Sequence, residues 1–336
     1  MIEIKKYNMK SISIQTFILC GLLFFCSCST NKTEEANPRV WTTGEESVTP
    51  EDNQEEEAQS EETQEETQDE ESGTENDQSH MLPNIDLSHW KVTLPIANNK
   101  GKPLEIKPPA IKNYASNETL KPFMYNDSTD GSLVFYTYPG VTTANSSRSR
   151  TELREQMVPG SNNTNWTFKE GGKLKGTLAM DAISRDANNK YHRTIIMQIH
   201  GRLTNAQRDL IGEDDNNAPP MLKIYWQNGK VRVKTKVLKD ANVNETDILR
   251  TSAWTDDDGF NFAQEVGFDK FTLEVNVSDG KMQVTLNNNE TITYDSNDIE
   301  RWNVFENYFK AGNYLQTVDE GAFARVKYYD LVVEHP

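Results

Sequence analysis

Cysteine is nearly missing from this 336-residue chain, and none of it is available to a fold. Its three cysteines are Cys20, Cys26 and Cys28, and residues 29–336 contain none. That excludes disulfides and thiolate-bound metals from any later domain. Histidine is scarce too: of the five, His89, His192, His200 and His335 are scattered over the later part of the chain. No set of ligand-type residues has the spacing of a metal centre, so neither a metal nor any other cofactor is expected. Sustained helical periodicity is missing, apart from short candidates at Asn205–Ile211 and Ser296–Val304. There is no internal repeat. A fold without these staples must rest on an ordinary apolar core, and residues 81–336 are long enough to bury one.

What the chain does have begins with a targeting segment. Lys5, Lys6 and Lys10 precede the apolar run Ile12–Phe25, which is too short and too close to the N-terminus to read as a spanning helix. The run ends at Phe25-Cys26-Ser27-Cys28. A cysteine directly after such a run resembles a bacterial lipoprotein signal, in which that cysteine is acylated. Cys28, preceded by the small Ser27, is the expected lipidation site, with Cys26 the alternative. The expectation is therefore an exported protein, lipid-anchored to the bacterial outer membrane or cell surface after loss of residues 1–28.

Residues 29–80 read as a disordered acidic tether. Residues 34–80 hold 18 Asp and Glu against one Arg, and few apolar residues. Such a stretch cannot bury enough surface to offset its ordering entropy, and self-repulsion extends it. The chain's net charge of −17 belongs to this segment: residues 81–336 carry 33 acids and 30 bases. A nearly neutral domain gives no reason to expect nucleic acid as a partner, and an anionic ligand would have to be held by local cations.

Residues 81–336 read repeatedly as strands. Ser132–Tyr138, Lys173–Met180, Arg193–His200, Met221–Trp226, Lys230–Val237, Lys270–Val277, Lys281–Leu286 and Ala322–Val333 are short, and many alternate apolar with polar. Asn228-Gly229 and Asp279-Gly280 each separate two of these runs, as tight hairpin turns do. The pattern predicts one all-β domain, a two-sheet antiparallel sandwich of jelly-roll type, acting as a monomer.

Three segments carry more polar chemistry than a sandwich strand needs. In Ser149–Gln156, alternation puts Arg150, Glu152, Arg154 and Gln156 on one face. Glu152 can hold both guanidinium groups, and an arginine so held suits a carboxylate ligand. In Arg193–His200, alternation sends Ile195, Met197 and Ile199 to the core and leaves Ile196, Gln198 and His200 on the other face. In Tyr308–Gln316, Tyr308, Lys310, Gly312, Tyr314 and Gln316 share a face, with the glycine leaving room for a ligand to approach the backbone. A tyrosine beside cations can take part in proton transfer. Each row alone is compatible with a surface ion-pair ladder or aromatic patch. Together, on one sheet, they form a groove that holds a carboxylate and moves protons beside it.

The segments RTELRE (Arg150–Glu155), QIH (Gln198–His200) and YFKAGNY (Tyr308–Tyr314), in this order, resemble the signature motifs of the family 7 polysaccharide lyases, the alginate lyases. LSHWKVTLPI (Leu87–Ile96) is similar to the start of that catalytic domain, so the resemblance covers essentially residues 84–336. It implies a jelly roll with a substrate groove on one concave sheet and a metal-independent β-elimination on alginate. It also implies roles: Tyr314 and His200 as catalytic residues, Gln198 and Arg154 as neutralisers of the uronate carboxylate with Arg150 the near alternative, and Lys310 as a substrate contact. Glu152, Tyr308 and Gln316 complete the expected substrate-binding set. Ile199, the middle residue of QIH, goes in this family with action on guluronate-containing substrate.

Other readings use the residues differently. A non-catalytic carbohydrate-binding sandwich would need aromatic platforms, for which Tyr225, Trp226 and Trp254 are available. A jelly-roll glycoside hydrolase needs two closely set carboxylates, and the strand segments show none. A lyase for another polyuronate, such as a glucuronan, shares all of the local chemistry. The polar stretch Gly201–Leu222 reads as a loop over the groove.

Overall fold

The computed structural model describes residues 83–295 and 297–336. The targeting segment, the tether and all three cysteines lie outside the described residues. No helix among the described residues is long and apolar enough to cross a membrane.

In chain order the strands are β1 (Asn84–Ile85), β2 (Trp90–Ala97), β3 (Pro103–Ile106), β4 (Met124–Asn126), β5 (Leu133–Thr137), β6 (Arg150–Glu155), β7 (Gly172–Ile183), β8 (Arg193–Arg202), β9 (Leu222–Gln227), β10 (Lys230–Leu238), β11 (Trp254–Asp256), β12 (Phe260–Glu265), β13 (Phe271–Ser278), β14 (Lys281–Leu286), β15 (Glu290–Tyr294), β16 (Glu306–Leu315) and β17 (Ala324–Glu334). Two short helices, α1 (Asn205–Ile211) and α2 (Asn297–Arg301), fall where the sequence predicts helix. One sheet runs β15-β14-β13-β7-β17-β5-β4, with β1 added parallel to β17. The other runs β11-β10-β9-β8-β16-β6-β2-β3, with β12 paired to β10. The remaining pairs are antiparallel, and the architecture is the predicted two-sheet sandwich of jelly-roll type.

Local chemistry explains these elements. Asn228 and Gly229 both take positive φ, 51° and 78°, and close the β9–β10 hairpin with Gln227 facing Lys230. Strands β7, β10 and β13 alternate buried and half-buried residues as two-sided strands do. The two sheets enclose an aromatic and aliphatic core, in which Phe135 packs edge-on against Tyr328 and Trp166 lies against Phe309 and Phe168. Burying each such side chain stabilises the fold by about 1.5–3 kcal/mol. Glu155 points into this layer and accepts hydrogen bonds from Trp166 Nε1 and the Phe309 amide, while His335 binds its other oxygen at 2.5 Å.

Regular pleating fails in the middle of the sheet that carries the polar rows. Between β8 and β16 the pairing jumps from Met197–Ala311 to Ile195–Tyr314, so Gly312 and Asn313 oppose Ile196 alone. The β8–β9 register shifts at the same place. Strict alternation therefore fails on β8: Ile196 is packed in the core with Met197 and Ile199, whereas Ile195 lines a cleft on the outer face. The Tyr328 hydroxyl, from the opposite sheet, reaches this irregularity. It accepts from the Gly312 amide at 3.1 Å and donates to the Ile196 carbonyl at 2.5 Å, satisfying backbone groups that the broken ladder leaves over.

Gly312, within this bulge, is tightly enclosed. Its φ is 127°, and a Cβ there would sit 2.8 Å from the Thr151 carbonyl oxygen and 3.1 Å from Glu152 Cα. The room that the sequence assigns to a ligand is taken by the backbone of β6.

Candidate active site

Strand β16 lies between β8 and β6, which aligns the three polar rows side by side. Lys310 stands between Arg154 and Gln198, Tyr308 is opposite His200, and Tyr314 is flanked by Arg150 and Ile195. The rows are not exposed, as a sandwich's outer face would be: Gln198, Arg150, Arg154 and Lys310 are all buried. Walls rise around them. One is the loop 139–149. Another is the stretch after β8, which is no formless loop: Thr204 and Gln207 form a capping box for α1, Gly212 ends it in the left-handed conformation, and Gln207 Nε2 binds the Val304 carbonyl at 2.7 Å. The 3-10 turns Asp247–Leu249 and Thr251–Ala253 close the same end. Asn145 Nδ2 on the first wall donates to Asp215 on the second at 3.1 Å.

The result is a cleft of about 640 Å³ whose lining includes Ser146, Arg150, Gln198, His200, Lys223, Tyr225, Arg250, Tyr314 and Gln316. A second hollow of about 390 Å³ continues past Arg150 and His200 toward Lys91, Arg154, Arg202, Tyr308 and Lys310.

Glu152 is the hub beneath the floor. It is 1 % exposed and lines neither hollow, so it is not placed to contact a ligand. Its carboxylate accepts from Arg150 at 3.1 Å and, at close range, from Gln198 Nε2 and Lys310 Nζ. Buried charge-assisted bonds of this kind fix side chains firmly. Arg154 is not among the partners. Its guanidinium donates to the Glu155 and Asn162 carbonyls at 2.6 and 3.1 Å and to Asn165 Oδ1 at 2.7 Å, and it lies 4.0 Å over the Tyr308 ring. The expectation that Glu152 clamps both arginines is corrected accordingly. Arg150 gives one bond to Glu152, lines both hollows and lies 3.7 Å over the Tyr314 ring, while its buried Nε has no hydrogen-bond partner among the described residues.

His200 donates from Nδ1 to the Gly201 carbonyl at 2.9 Å, because a carbonyl can only accept. The neutral ring thus carries its lone pair on Nε2, and it stacks on Tyr308 with centroids 5.3 Å apart. Burial, reinforced by the Lys310 charge, pushes its pKa down to about 3, so it is a neutral acceptor at ordinary pH. Burial also brings Lys310 down to about 8, against the opposing pull of Glu152. The Tyr308 phenol is pushed upward by burial.

Tyr314 hydrogen-bonds Ser146 Oγ at 2.6 Å. No motif pointed to Ser146; it lies in an irregular loop, and only a row of hydroxyl and amide residues just ahead of Arg150 marks it. Gln316 lines the cleft and donates to the Tyr314 carbonyl at 3.1 Å. Trp226 and Trp254 are buried, with indole N–H groups bonded to the Gly267 and Ile248 carbonyls, so neither offers a carbohydrate platform. No group of three or more potential metal ligands occurs among the described residues.

A sandwich with a cationic cleft across one sheet, and a neutral imidazole and a phenol inside it, is built as an enzyme for an anionic polymer. An alginate lyase family model matches residues 85–335. Alginate lyase A1-II′, a member of polysaccharide lyase family 7, is 30% identical over 75% of this chain and 96% of its own, with a TM-score of 0.58. A doubly substituted form of that enzyme, in complex with the substrate GGMG, is 29% identical over 75% of this chain and 94% of its own, with a TM-score of 0.57. Alginate lyase PA1167 from Pseudomonas aeruginosa shares the fold at 22% identity, over 75% of this chain and 100% of its own, with a TM-score of 0.54. No curated protein matches. The chain belongs to the alginate lyases of polysaccharide lyase family 7. It is a polysaccharide lyase, a carbon–oxygen lyase.

Proposed function

We propose that the chain depolymerises alginate by β-elimination at the 4-O-glycosidic bond, leaving 4,5-unsaturated uronate ends, and that it favours guluronate-containing stretches. The observation that carries this reading is the convergence of Arg150, Gln198, His200 and Tyr314 on one cleft.

The C5 proton of a uronate is hard to remove because the resulting carbanion sits beside a carboxylate. Arg150 and the second amide hydrogen of Gln198 neutralise that carboxylate, through bonds that strengthen as the enolate-like state develops. The proposal gives this role to Arg150, which lines the cleft, and leaves Arg154 to hold Tyr308 and the 155–165 segment. In a guluronate unit the C5 proton and the leaving group lie on opposite faces. His200 Nε2 takes the proton, the C5–H pair becomes the C4–C5 double bond, the C4–O bond breaks, and Tyr314 protonates the departing oxygen. In a mannuronate unit both lie on one face, and Tyr314 serves both steps. His200 is held neutral chiefly by burial, and the arriving carboxylate offsets the Lys310 charge that adds to it. Ile199, fully buried behind Gln198 and His200, supports the guluronate preference through the family likeness. Reaction and site need no metal or cofactor in this scheme.

The test is a product time course on polyguluronate, polymannuronate, mixed alginate and glucuronan, read as new ultraviolet absorbance, with Tyr314→Phe and Arg150→Ala alongside. Both variants are expected to lose roughly 10²–10⁴ in turnover while Tyr314→Phe still binds substrate. Wild-type-like turnover in Tyr314→Phe would sink the assignment, and faster release from glucuronan than from alginate would redirect the substrate.

A further inference from the structure

Ser146 has one hydroxyl hydrogen and two places to send it. Its Oγ lies 3.0 Å from the Arg148 carbonyl and 2.6 Å from the Tyr314 hydroxyl. It also accepts from the Arg148 amide at 3.0 Å, which fixes the oxygen whatever the hydrogen does. When the Tyr314 hydrogen points to Ser146, the serine donates to the Arg148 carbonyl; when that hydrogen points to the glycosidic oxygen, or has left, the serine hydroxyl turns and donates to the tyrosine oxygen. The backbone bonds hold Oγ in place, so the exchange is a single-bond rotation. On the ring's face the Arg150 guanidinium lies 3.7 Å from the centroid.

We propose that Ser146 is a positioning residue for the proton donor: it aims the Tyr314 hydroxyl into the cleft and stabilises the phenolate left when the glycosidic oxygen departs. The proposal rests on the assignment of Tyr314 as the acid. Proton and electrons balance: Tyr314 Oη loses H⁺ to the leaving oxygen, whose electron pair came from the C4–O bond. The phenolate is reprotonated from solvent or from the His200 imidazolium before the next cycle. A bond that strengthens only as charge develops acts on the chemical step and not on ground-state binding.

Thr and Val have the same shape and differ at one hydroxyl, so Ser146→Thr and Ser146→Val form the decisive pair, with Ser146→Ala beside them. Val and Ala are expected to lower kcat about thirtyfold, with KM within about twofold of the parent and an unchanged melting midpoint, while Thr retains most of the turnover. Equal activity of the Thr and Val variants overturns the proposal, as does a loss confined to KM or one that tracks the melting midpoint. Tyr314→Phe, assayed in parallel, separates the two layers. If it keeps turnover, the assignment of Tyr314 fails. If it is inactive while Ser146→Val is parent-like, only the role of Ser146 fails.

Discussion

At the scale of single residues, the cleft is governed by one buried anion with three donors around it. Glu152 has its carboxylate filled by Arg150, Gln198 and Lys310, which leaves two cationic groups facing one negative charge. Substrate carboxylates meet that surplus. Lys310 titrates within this surplus, because burial brings it to about 8. Its positive charge is complete below that pH and lost above it. KM for polymeric substrate should therefore rise as the pH passes about 8, with kcat less affected, and Lys310→Arg should flatten the rise. A KM that stays level well into the alkaline range would contradict this. The sequence made these residue types and their shared faces legible. It left open which arginine faces the reacting unit, because Arg150 and Arg154 sit on the same side of one strand; the proposal for Arg150 draws on the carbonyls and amide that hold Arg154.

At the scale of elements, the strands with clean alternation and the Asn228-Gly229 hairpin were readable from local pattern. What was not readable is where alternation breaks. Ile195, Ile196 and Met197 offer no local sign of which one slips, since all three are apolar; the slip is imposed by the β16 backbone at Gly312 and by the Tyr328 hydroxyl behind it. Strand β2, interrupted by Pro95, and the short edge strands β11, β12 and β15 also escape a pattern search. Ser146 lies in a wall whose course depends on contacts with distant segments. Tyr328 provides a test at this scale. Tyr328→Phe keeps the ring in the core but strips the bond from two buried backbone groups, a loss of about 1–3 kcal/mol. A lower melting midpoint is expected together with a lower kcat, because the same two groups set the spacing between Ile195 and Tyr314. A melting curve and activity equal to the parent's would show that the bulge holds without the hydroxyl.

At the scale of the whole molecule, charge is sorted along the chain. The acidic excess lies in residues 34–80, ahead of a nearly neutral domain, so a polyanion meets Lys91, Arg150, Arg154, Arg202 and Lys310 as a local patch. From the sequence reading we propose that Cys28 carries a lipid and that the tether stands the enzyme off a membrane. Cys28→Ser should move the activity from the membrane fraction to the soluble fraction without changing its kinetics; activity that stays with the membranes would refute the anchor.

Strand β16 gives the molecule a history as well as a site. It supplies Tyr308, Lys310 and Tyr314, yet its register partners on β6 lie far earlier in the chain, from 156 positions for Lys310 and Arg154 to 164 for Tyr314 and Arg150. The reacting centre is therefore a product of long-range closure, the slow kind. A ribosome must finish nearly the entire chain before the cleft can exist. Every shortened or stalled product that ends before β16 is a protein with the first two motifs and without Tyr314, the proposed proton donor.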